Sequence, residues 1–454
     1  MTLPSHLIRR RALLAGGLLV PFAAACGGDD DTTGGAGGER ATVVVWDRAG
    51  AEASARQGFF KKWNANEGRK LGIRSQYEPQ ATEKYEEIVR LGFQTKRAPD
   101  IFHGPSSQMG AFVAAGWVQP LDGLVDDGIL EEASRYLADT SELVWGGRPY
   151  AIPTTTFTVR MALNRDLFTQ AGLDPDDPPT TFSEVEEAAR AITEAGKGET
   201  YGIAIPMGWV GFQAWTLDLP ILAAHADVTQ NGLFNISTGR FEAEKYAPII
   251  EHYRTLIHEK IAFPGAETMD YDTFLPAFAE GKVGMVLTSG SIVGGMKQLG
   301  STVDLAVGPI PVPDGMTQVR SPMNAGFPYS ISSTTDDPET AAEVFAVLVG
   351  PEMQETLASN GIPPLSQEAW DSPVAKEDAN LQLFRPTEND VQWPKNPGSV
   401  LAVEGKDVAT TAIELILDPQ ADVSAALSQL SARYQKAWEQ GVENGEIDPK
   451  EFGL

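Results

Sequence analysis

The chain has 454 residues, which is enough for two or three domains with sizeable cores. Hydrophobic residues make up 42% and charged residues 21%, as in folded globular proteins, which excludes a disordered, collagen-like or multi-span membrane chain. The 62 acidic and 35 basic residues give a formal net charge of -27, which disfavours nucleic acid as a partner because phosphate binding needs clustered Lys and Arg.

The N-terminal region has the pattern of an export signal. Three arginines at residues 9–11 precede an apolar run over residues 12–25, which is too short to span a bilayer. This predicts a signal peptide over residues 1–25. Small residues stand directly before Cys26, which resembles a bacterial lipobox, whose cysteine is lipidated. The alternative is a structural cysteine in an ordinary signal peptide, and both the twin-arginine and the general export routes stay open.

Residues 26–40 are predicted to be a flexible tether, because Gly, Asp, Thr and Ala dominate them. Three consecutive aspartates at residues 29–31 lack the alternate spacing of a calcium loop. Cys26 is the single cysteine and the five histidines are scattered, so we expect no disulfide, no metal site and no cofactor.

The folded part opens with alternating strands and helices. Strands are predicted over residues 41–46, 73–77 and 99–102, with helices over residues 54–66 and 82–95, the second capped by Thr82. This alternation predicts a mostly parallel sheet covered by helices on both faces. Ligands bind beyond the carboxyl ends of the strands in such sheets. The side chains placed at that edge are Trp46, Asp47, Arg48, Gln80 and His103.

A second α/β body is predicted to begin near residue 157. Its predicted strands cover residues 158–163, 201–205, 282–287 and 304–308, and its predicted helices cover residues 182–195, 244–259, 272–280, 337–349, 403–417 and 423–443. The chain shows no internal repeat and no heptad run.

Several local segments follow one another in a familiar order. They are Ala-Pro-Asp-Ile-Phe (98–102), Ala-Ala-Gly-Trp-Val-Gln-Pro-Leu (114–121), Gly-Arg-Pro-Tyr-Ala-Ile-Pro (147–153), Leu-Asn-Arg-Asp-Leu-Phe (163–168) and Phe-Ala-Glu-Gly-Lys-Val-Gly-Met (278–285). In this order and spacing, the chain resembles the family 1 extracellular solute-binding proteins of ABC importers, the maltose-binding-protein-like group. The Pro-Thr-Thr-Phe segment (179–182) departs from the Pro-Thr-Trp that is usual there.

The resemblance implies the α/β, type II periplasmic-binding-protein fold, with two lobes, each a mostly parallel sheet flanked by helices. Three hinge crossings are expected near residues 151–156, 285–291 and 324–330. The first lobe is expected to hold residues 41–151 and 288–324, and the second lobe residues 157–284 and 328–454. Ligand is clamped between such lobes as they close.

A sugar site needs aromatic rings for the flat C–H faces and polar side chains for the hydroxyls. Of the nine tryptophans, Trp63, Trp117 and Trp438 fit core positions, whereas Trp46 and the loop tryptophans are candidates for the cleft. The predicted ligand-binding residues are Trp46, Asp47, Arg48, Gln80, His103, Trp209, Gln213, Trp215, Asn324, Phe327, Tyr329 and Trp393. Glu83 and Arg385 are further polar candidates, and each polar residue has a solvated rim position as its alternative.

These observations predict a monomeric substrate-binding lipoprotein of an ABC importer, which captures a sugar or oligosaccharide and is anchored through Cys26 to the outer face of the cytoplasmic membrane. Its partners are the importer membrane subunits. The alternatives are the same scaffold with a polyol, glycerophosphodiester or polyamine, a partner-binding lipoprotein, or a secreted glycoside hydrolase. No Gly-x-Ser-x-Gly, His-Glu-x-x-His or P-loop motif is present, and we expect no catalytic residues.

Overall fold

The computed structural model describes residues 40–104, 108–138 and 141–454, apart from the side chains of Glu83, Arg135, Asn324 and Ala325. The predicted signal peptide, the lipidation candidate Cys26 and the predicted tether as far as residue 39 lie outside the described residues. Among the helices of the described part, none is both long and apolar enough to cross a bilayer.

The described residues form strands that are mostly short. They are β1 (Ala41–Arg48), β2 (Ile73–Gln80), β3 (Ile101–His103), β4 (Val144–Trp145), β5 (Arg148–Pro149), β6 (Thr155–Phe157), β7 (Val159–Asn164), β8 (Tyr201–Ile203), β9 (Phe234–Asn235), β10 (Arg240–Phe241), β11 (Val283–Ser289), β12 (Leu305–Gly308), β13 (Ser321–Gly326), β14 (Tyr329–Ile331) and β15 (Asp390–Gln392).

The helices cover both sheets and form the C-terminal part of the chain. They are α1 (Ala51–Ala65), α2 (Glu67–Leu71), α3 (Tyr85–Gln94), α4 (Met109–Ala114), α5 (Asp127–Glu132), α6 (Arg165–Gln170), α7 (Phe182–Gly196), α8 (Leu219–Ala224), α9 (Ala247–His258), α10 (Tyr271–Ala279), α11 (Ser291–Gln298), α12 (Pro338–Val349), α13 (Pro351–Ser359), α14 (Gln367–Asp371), α15 (Pro373–Lys376), α16 (Ala379–Gln382), α17 (Val408–Leu417) and α18 (Val423–Glu443).

The first lobe is built on a four-stranded sheet of order β14-β3-β1-β2. Strand β1 is parallel to both of its neighbours, and β14 is antiparallel to β3. Val43 and Val45 of β1 pack with residues of α1, α12 and α13, whereas Phe102 of β3 packs with residues of α3 and α4. Helices on both faces exclude water from the sheet, as the alternation of strands and helices predicts.

The second lobe is built on a sheet of order β12-β7-β11-β8. One face packs against α7, α9, α17 and α18, and the other against α10, α11 and the α14–α16 segment. Strands β8, β11 and β12 run in the same direction, as a mostly parallel sheet requires, and β7, which lies between β11 and β12, is the one reversed strand of this sheet. Strand β7 enters directly from the preceding short strand β6, whereas β8, β11 and β12 each follow a helix.

The crossings between the lobes lie side by side. Strand β6 pairs with β13, and Ile152 forms a bridge with Tyr329, so the expected crossings at residues 151–156 and 324–330 are neighbours. The expected crossing at residues 285–291 is wrong, because β11, α11 and β12 all stay in the second lobe. The chain crosses instead near residues 362–365, where the Thr156 amide donates to the Pro363 carbonyl over 3.3 Å.

Two strands belong to the other lobe than the one predicted for them, because they pair with strands of its sheet. Strand β12 lies within residues 288–324 but pairs with β7 of the second sheet. Strand β14 lies within residues 328–454 but pairs with β3 of the first sheet, and α12 and α13 pack beneath it. Thr82 is also not a helix cap: a 3-10 turn covers Thr82–Lys84, and the Thr82 hydroxyl donates to the Ala49 carbonyl over 2.8 Å.

Candidate functional site

The carboxyl ends of the first-lobe strands place three predicted residues at one edge. Arg48 and Gln80 are register partners at the ends of β1 and β2, and His103 ends β3. His103 is close to the second crossing, because the amide of the next residue, Gly104, donates to the Pro328 carbonyl over 2.8 Å. Arg48 is half-buried, and its Nε has no hydrogen-bond partner among the described residues. This edge therefore carries a cation, Arg48, close enough to act electrostatically on the imidazole of His103.

Asp47, another predicted residue of β1, is fully buried. Its Oδ2 accepts from Arg56 Nη1 over 3.1 Å and from the Tyr77 hydroxyl, and its Oδ1 accepts from the Arg48 amide over 2.8 Å. Both carboxylate oxygens are thus engaged within the first lobe. We assign Asp47 to holding the end of β1 in place.

A continuous series of rings runs from the first lobe across the crossings into the second lobe. Its members, called the aromatic row below, are His103, Phe327, Phe157, Trp215 and Trp209. Successive ring centroids are 5.0, 5.4, 5.4 and 6.2 Å apart. The four rings other than His103 are half-buried, and such ring surface can pack against the C–H faces of a sugar.

Local backbone structure brings these rings together. Phe157 ends the crossing strand β6, and Phe327 follows β13 in the left-handed region with φ 45°. Trp215 lies on a π-helical turn, Phe212–Asp218, of a type that is frequent at functional sites. Trp209 stands just before that turn and also contacts Tyr271 of α10, with 6.1 Å between ring centroids.

Four residues of this region were not predicted from the sequence: Phe157, Tyr271, Glu52 and Arg56. Glu52 lies in the first turn of α1 and is only 6% exposed. Burial raises the pKa of Glu52, and the hydroxyl of Ser291 on α11 partly offsets this. Glu52 also acts electrostatically on Tyr271, so it faces second-lobe residues from the first lobe. Phe157 directly follows the expected crossing at residues 151–156, and this position in the sequence could have indicated that its ring lies in the cleft.

His103 is held neutral in this setting. It is 6% exposed, and burial, with contributions from Arg48 and Arg56, lowers the pKa of His103 well below its ordinary value. Its Nδ1 finds no hydrogen-bond partner within the described part of the chain. A neutral imidazole with a free ring nitrogen can form one hydrogen bond with a hydroxyl group, as donor or as acceptor according to its tautomer.

The remaining predicted residues are not members of the aromatic row. Trp46 donates from Nε1 to Glu78 over 2.8 Å, and Gln213 donates to Asn231 over 2.9 Å. Tyr329 is fully buried, and Trp393 is 3% exposed with its ring 5.6 Å from Trp215. Asn324 is in β13, opposite Phe157, and its side chain is outside the described atoms. Arg385 is paired with Asp371 at 3.0 Å, away from the row.

Within the described residues, no three His, Cys, Asp or Glu side chains are grouped so that they can hold a metal ion. The site is therefore built from rings, one buried ion pair, one half-buried arginine and neutral or partly buried polar groups. This combination suits an uncharged ligand with both C–H faces and hydroxyl groups.

Comparisons with known proteins agree with this architecture. The maltotriose-binding protein of Pyrococcus abyssi is 25% identical over 350 residues, covering 76% of this chain and 72% of that protein. The sn-glycerol-3-phosphate-binding periplasmic protein of Agrobacterium fabrum is 24% identical over 389 residues, covering 79% and 85%. An ABC transporter solute-binding protein from Thermotoga lettingae, solved with α-D-tagatose, superposes with a TM-score of 0.71 at 17% identity, covering 88% and 100%.

The structural likeness confirms the predicted two-lobed α/β fold class. Residues 49–355 match the family model described as "Bacterial extracellular solute-binding protein", which covers more than half of the chain. The resemblance read from the sequence is thereby confirmed. The chain belongs to the family of bacterial extracellular solute-binding proteins.

Proposed function

We propose that this protein captures a neutral saccharide between its two lobes and delivers it to the membrane subunits of an ABC importer. The observation that carries the proposal is the aromatic row, which continues from His103 in the first lobe to Trp209 in the second. A ligand lying on these rings touches both lobes at once. Binding it therefore favours the closed arrangement, because only that arrangement offers both sets of contacts.

The polar groups around the row support a ligand without net charge. Asp47 and Arg56 neutralise each other at 3.1 Å, and His103 is neutral because burial lowers its pKa. Burial raises the pKa of Glu52, which shifts this carboxyl group towards its uncharged form. Neutral groups of this kind pair with hydroxyls at little desolvation cost, whereas a buried ion needs a charged partner.

Isothermal titration calorimetry with three probes tests the proposal. We expect maltotriose or tagatose to bind with a dissociation constant in the micromolar range or below, which corresponds to about -8 kcal/mol or stronger. The Trp215→Ala variant should lose most of this affinity, while Trp215→Phe should keep most of it. Absence of heat with every saccharide tried, together with heat from sn-glycerol 3-phosphate, would contradict a sugar ligand.

A phosphate ester is the second candidate, and Arg48 is the observation that favours it. Its Nε is buried without a hydrogen-bond partner among the described residues, at the edge where His103 also lies. An arginine in this state can bind a phosphate through a charge-assisted hydrogen bond. Arg48→Gln separates the two candidates, because it should abolish binding of sn-glycerol 3-phosphate but weaken a neutral saccharide only a few-fold.

We further propose that Cys26 carries the lipid that anchors a monomeric protein to the outer face of the cytoplasmic membrane, and that the cleft binds without catalysis. The lipobox-like residues before Cys26 support the anchor. Mass spectrometry of the mature protein should find acyl chains on Cys26, and Cys26→Ala should release the protein from the membrane fraction. Sedimentation should give the mass of one chain, and reducing-sugar assays should detect no product from the saccharides that bind.

A further inference from the structure

Arg56 is a buried arginine on α1 that faces the crossings. The guanidinium is fully buried, and its Nη1 donates to Asp47 over 3.1 Å. Its Nη2 donates to the hydroxyl oxygen of Thr154 over 2.7 Å. Fully buried arginines are rare, because removing the charge from water is costly unless other groups compensate for it. Here the second donor is directed at the first crossing.

Thr154 is connected by further hydrogen bonds to the other two crossings. Its hydroxyl donates to the Phe327 carbonyl of the second crossing over 3.0 Å. Its own carbonyl accepts from Gln354 Nε2 over 2.9 Å, and Gln354 Oε1 accepts from the Leu365 amide of the third crossing over 2.6 Å. One connected set of hydrogen bonds therefore joins the end of β1 to all three crossings.

The same guanidinium lies against the ring of Phe327. The distance from Arg56 Cζ to the ring centroid is 5.0 Å, within the range of a cation–π contact. Phe327 has a φ of 45°, which is unfavourable for a residue with a side chain and persists only where surrounding contacts enforce it. Its ring is also a member of the aromatic row, between His103 and Phe157.

We propose that Arg56 and Thr154 are positioning residues for the ligand site: together they hold Phe327 in its left-handed conformation and couple the position of its ring to the crossings. This inference rests on the proposed function, in which Phe327 contacts ligand. Arg56 itself contacts the protein only, and it acts on ligand through Phe327. Lysine cannot replace it. The planar guanidinium donates to Asp47 and Thr154 from two nitrogens while its face lies on the Phe327 ring, whereas an ammonium group has one nitrogen and no planar face.

The test uses the single oxygen atom at the centre of the network. Thr154→Val removes the hydroxyl at nearly constant shape, and Thr154→Ser restores it. Thr158→Val is the matched control, because Thr158 is equally buried next to the first crossing and its hydroxyl also donates to a backbone carbonyl, that of Phe384. A general loss of stability from a deleted buried hydroxyl should appear in both valine variants.

Hydrogen exchange of the ligand-free protein gives the readout, at the amides that tie the first two crossings together. These are Gly104, Ile152, Thr154 and Tyr329, whose partners are the carbonyls of Pro328, Tyr329, Gly326 and Ile152. We expect exchange at these amides to rise about tenfold or more in Thr154→Val, but by no more than about twofold in Thr158→Val and Thr154→Ser. Equal patterns in the two valine variants, or no recovery in the serine variant, would overturn the inference.

A titration with maltotriose on the same variants separates this inference from the proposed function. If the wild-type protein binds, Thr154→Val should weaken binding about tenfold or more and Thr158→Val should not, as expected for loss of a buried hydrogen bond to a charged group. Unchanged affinity in Thr154→Val would contradict the positioning role. If neither maltotriose nor tagatose binds the wild-type protein, the proposed function fails. The exchange measurement still decides whether the network positions Phe327.

Discussion

Asn396 Nδ2 donates to Glu142 Oε1 over 2.6 Å, and this hydrogen bond joins the two lobes. The same amide nitrogen also donates to Gln230 Oε1 over 2.9 Å. Glu142 directly precedes Leu143, which packs in the first-lobe core, whereas Asn396 follows Trp393, which packs in the second-lobe core. Burial raises the pKa of Glu142 to about 8, so the carboxyl group is protonated at neutral pH.

This hydrogen bond predicts a particular pH dependence of stability. In the unfolded chain Glu142 ionises near its ordinary pKa, whereas the folded protein keeps its proton up to about pH 8. The folded state therefore binds more protons between these values, and the free energy of unfolding should fall with rising pH, by up to about 1.4 kcal/mol per pH unit. Glu142→Gln, which stays neutral, should lack this contribution.

Thermal unfolding from pH 5 to pH 8 measures the difference between wild type and Glu142→Gln. The variant should gain stability relative to wild type as pH rises, reaching a few kcal/mol near pH 8. Parallel curves for the two proteins would mean that Glu142 ionises normally in the folded state.

The aromatic row predicts which tryptophan contributes to saccharide affinity. Trp215→Ala should weaken saccharide binding by about 2 kcal/mol or more, because a buried aromatic anchor is removed. Trp117 offers a control, since its ring is stacked on Phe93 at 5.0 Å within the first lobe. Trp117→Phe should leave affinity unchanged. Equal effects in calorimetry of the two variants would place the ligand away from the row.

Two arginine–aspartate ion pairs of different burial predict different costs. Arg160 Nη1 and Nη2 donate to the two oxygens of Asp390 at 2.7 Å, and Asp390 is buried. Asp390→Ala should destabilise the protein by about 3–5 kcal/mol, because it leaves Arg160 largely buried and unpaired. The exposed pair of Arg148 and Asp122, at 3.0 Å, is the control, and Asp122→Ala should cost under about 1 kcal/mol. Chemical denaturation measures both, and similar costs would contradict the role of burial.

Two glycines predict opposite effects of the same substitution. A Cβ at Gly202 of β8 would lie 2.2 Å from the Cα of Ala189 in α7, so Gly202→Ala must displace backbone and should cost at least about 1–3 kcal/mol. Gly58 lies inside α1, and apart from the backbone of that helix no described atom lies within 4 Å of its Cβ position. Gly58→Ala should stabilise the protein by roughly 0.5–1 kcal/mol. If both substitutions shifted the melting temperature in the same direction, the tight packing of α7 against β8 at Gly202 would be contradicted.

Hydrophobic periodicity predicted every strand of the two four-stranded sheets except β14, together with the longest helices. Helices α7 and α18 were predicted almost to the residue, because amphipathic stripes and caps such as the Thr181 capping box are local signals. Pairing partners are not local: the predicted lobe boundaries put β12 and β14 in the wrong lobes, although the strand over residues 304–308 had been grouped with the second body. A short strand carries no information about its neighbour, and the misplaced crossing followed from this.

The site shows the same division. Trp209, Trp215, Phe327 and His103 were predicted because loop aromatics and strand ends are visible in the sequence. Glu52 was missed because an acidic residue in the first turn of a helix is usually an exposed residue favoured by the helix dipole. Arg56 was missed because nothing local indicates that an arginine is buried against Asp47, and only the tertiary packing shows it.

A crystal structure of the protein grown with maltotriose and, separately, with tagatose tests the central claim most directly. We expect sugar rings against Trp215 and Phe157, with contacts to both lobes and hydroxyl groups within hydrogen-bond distance of Glu52 or His103. A saccharide bound outside the aromatic row, or touching one lobe only, would contradict the account.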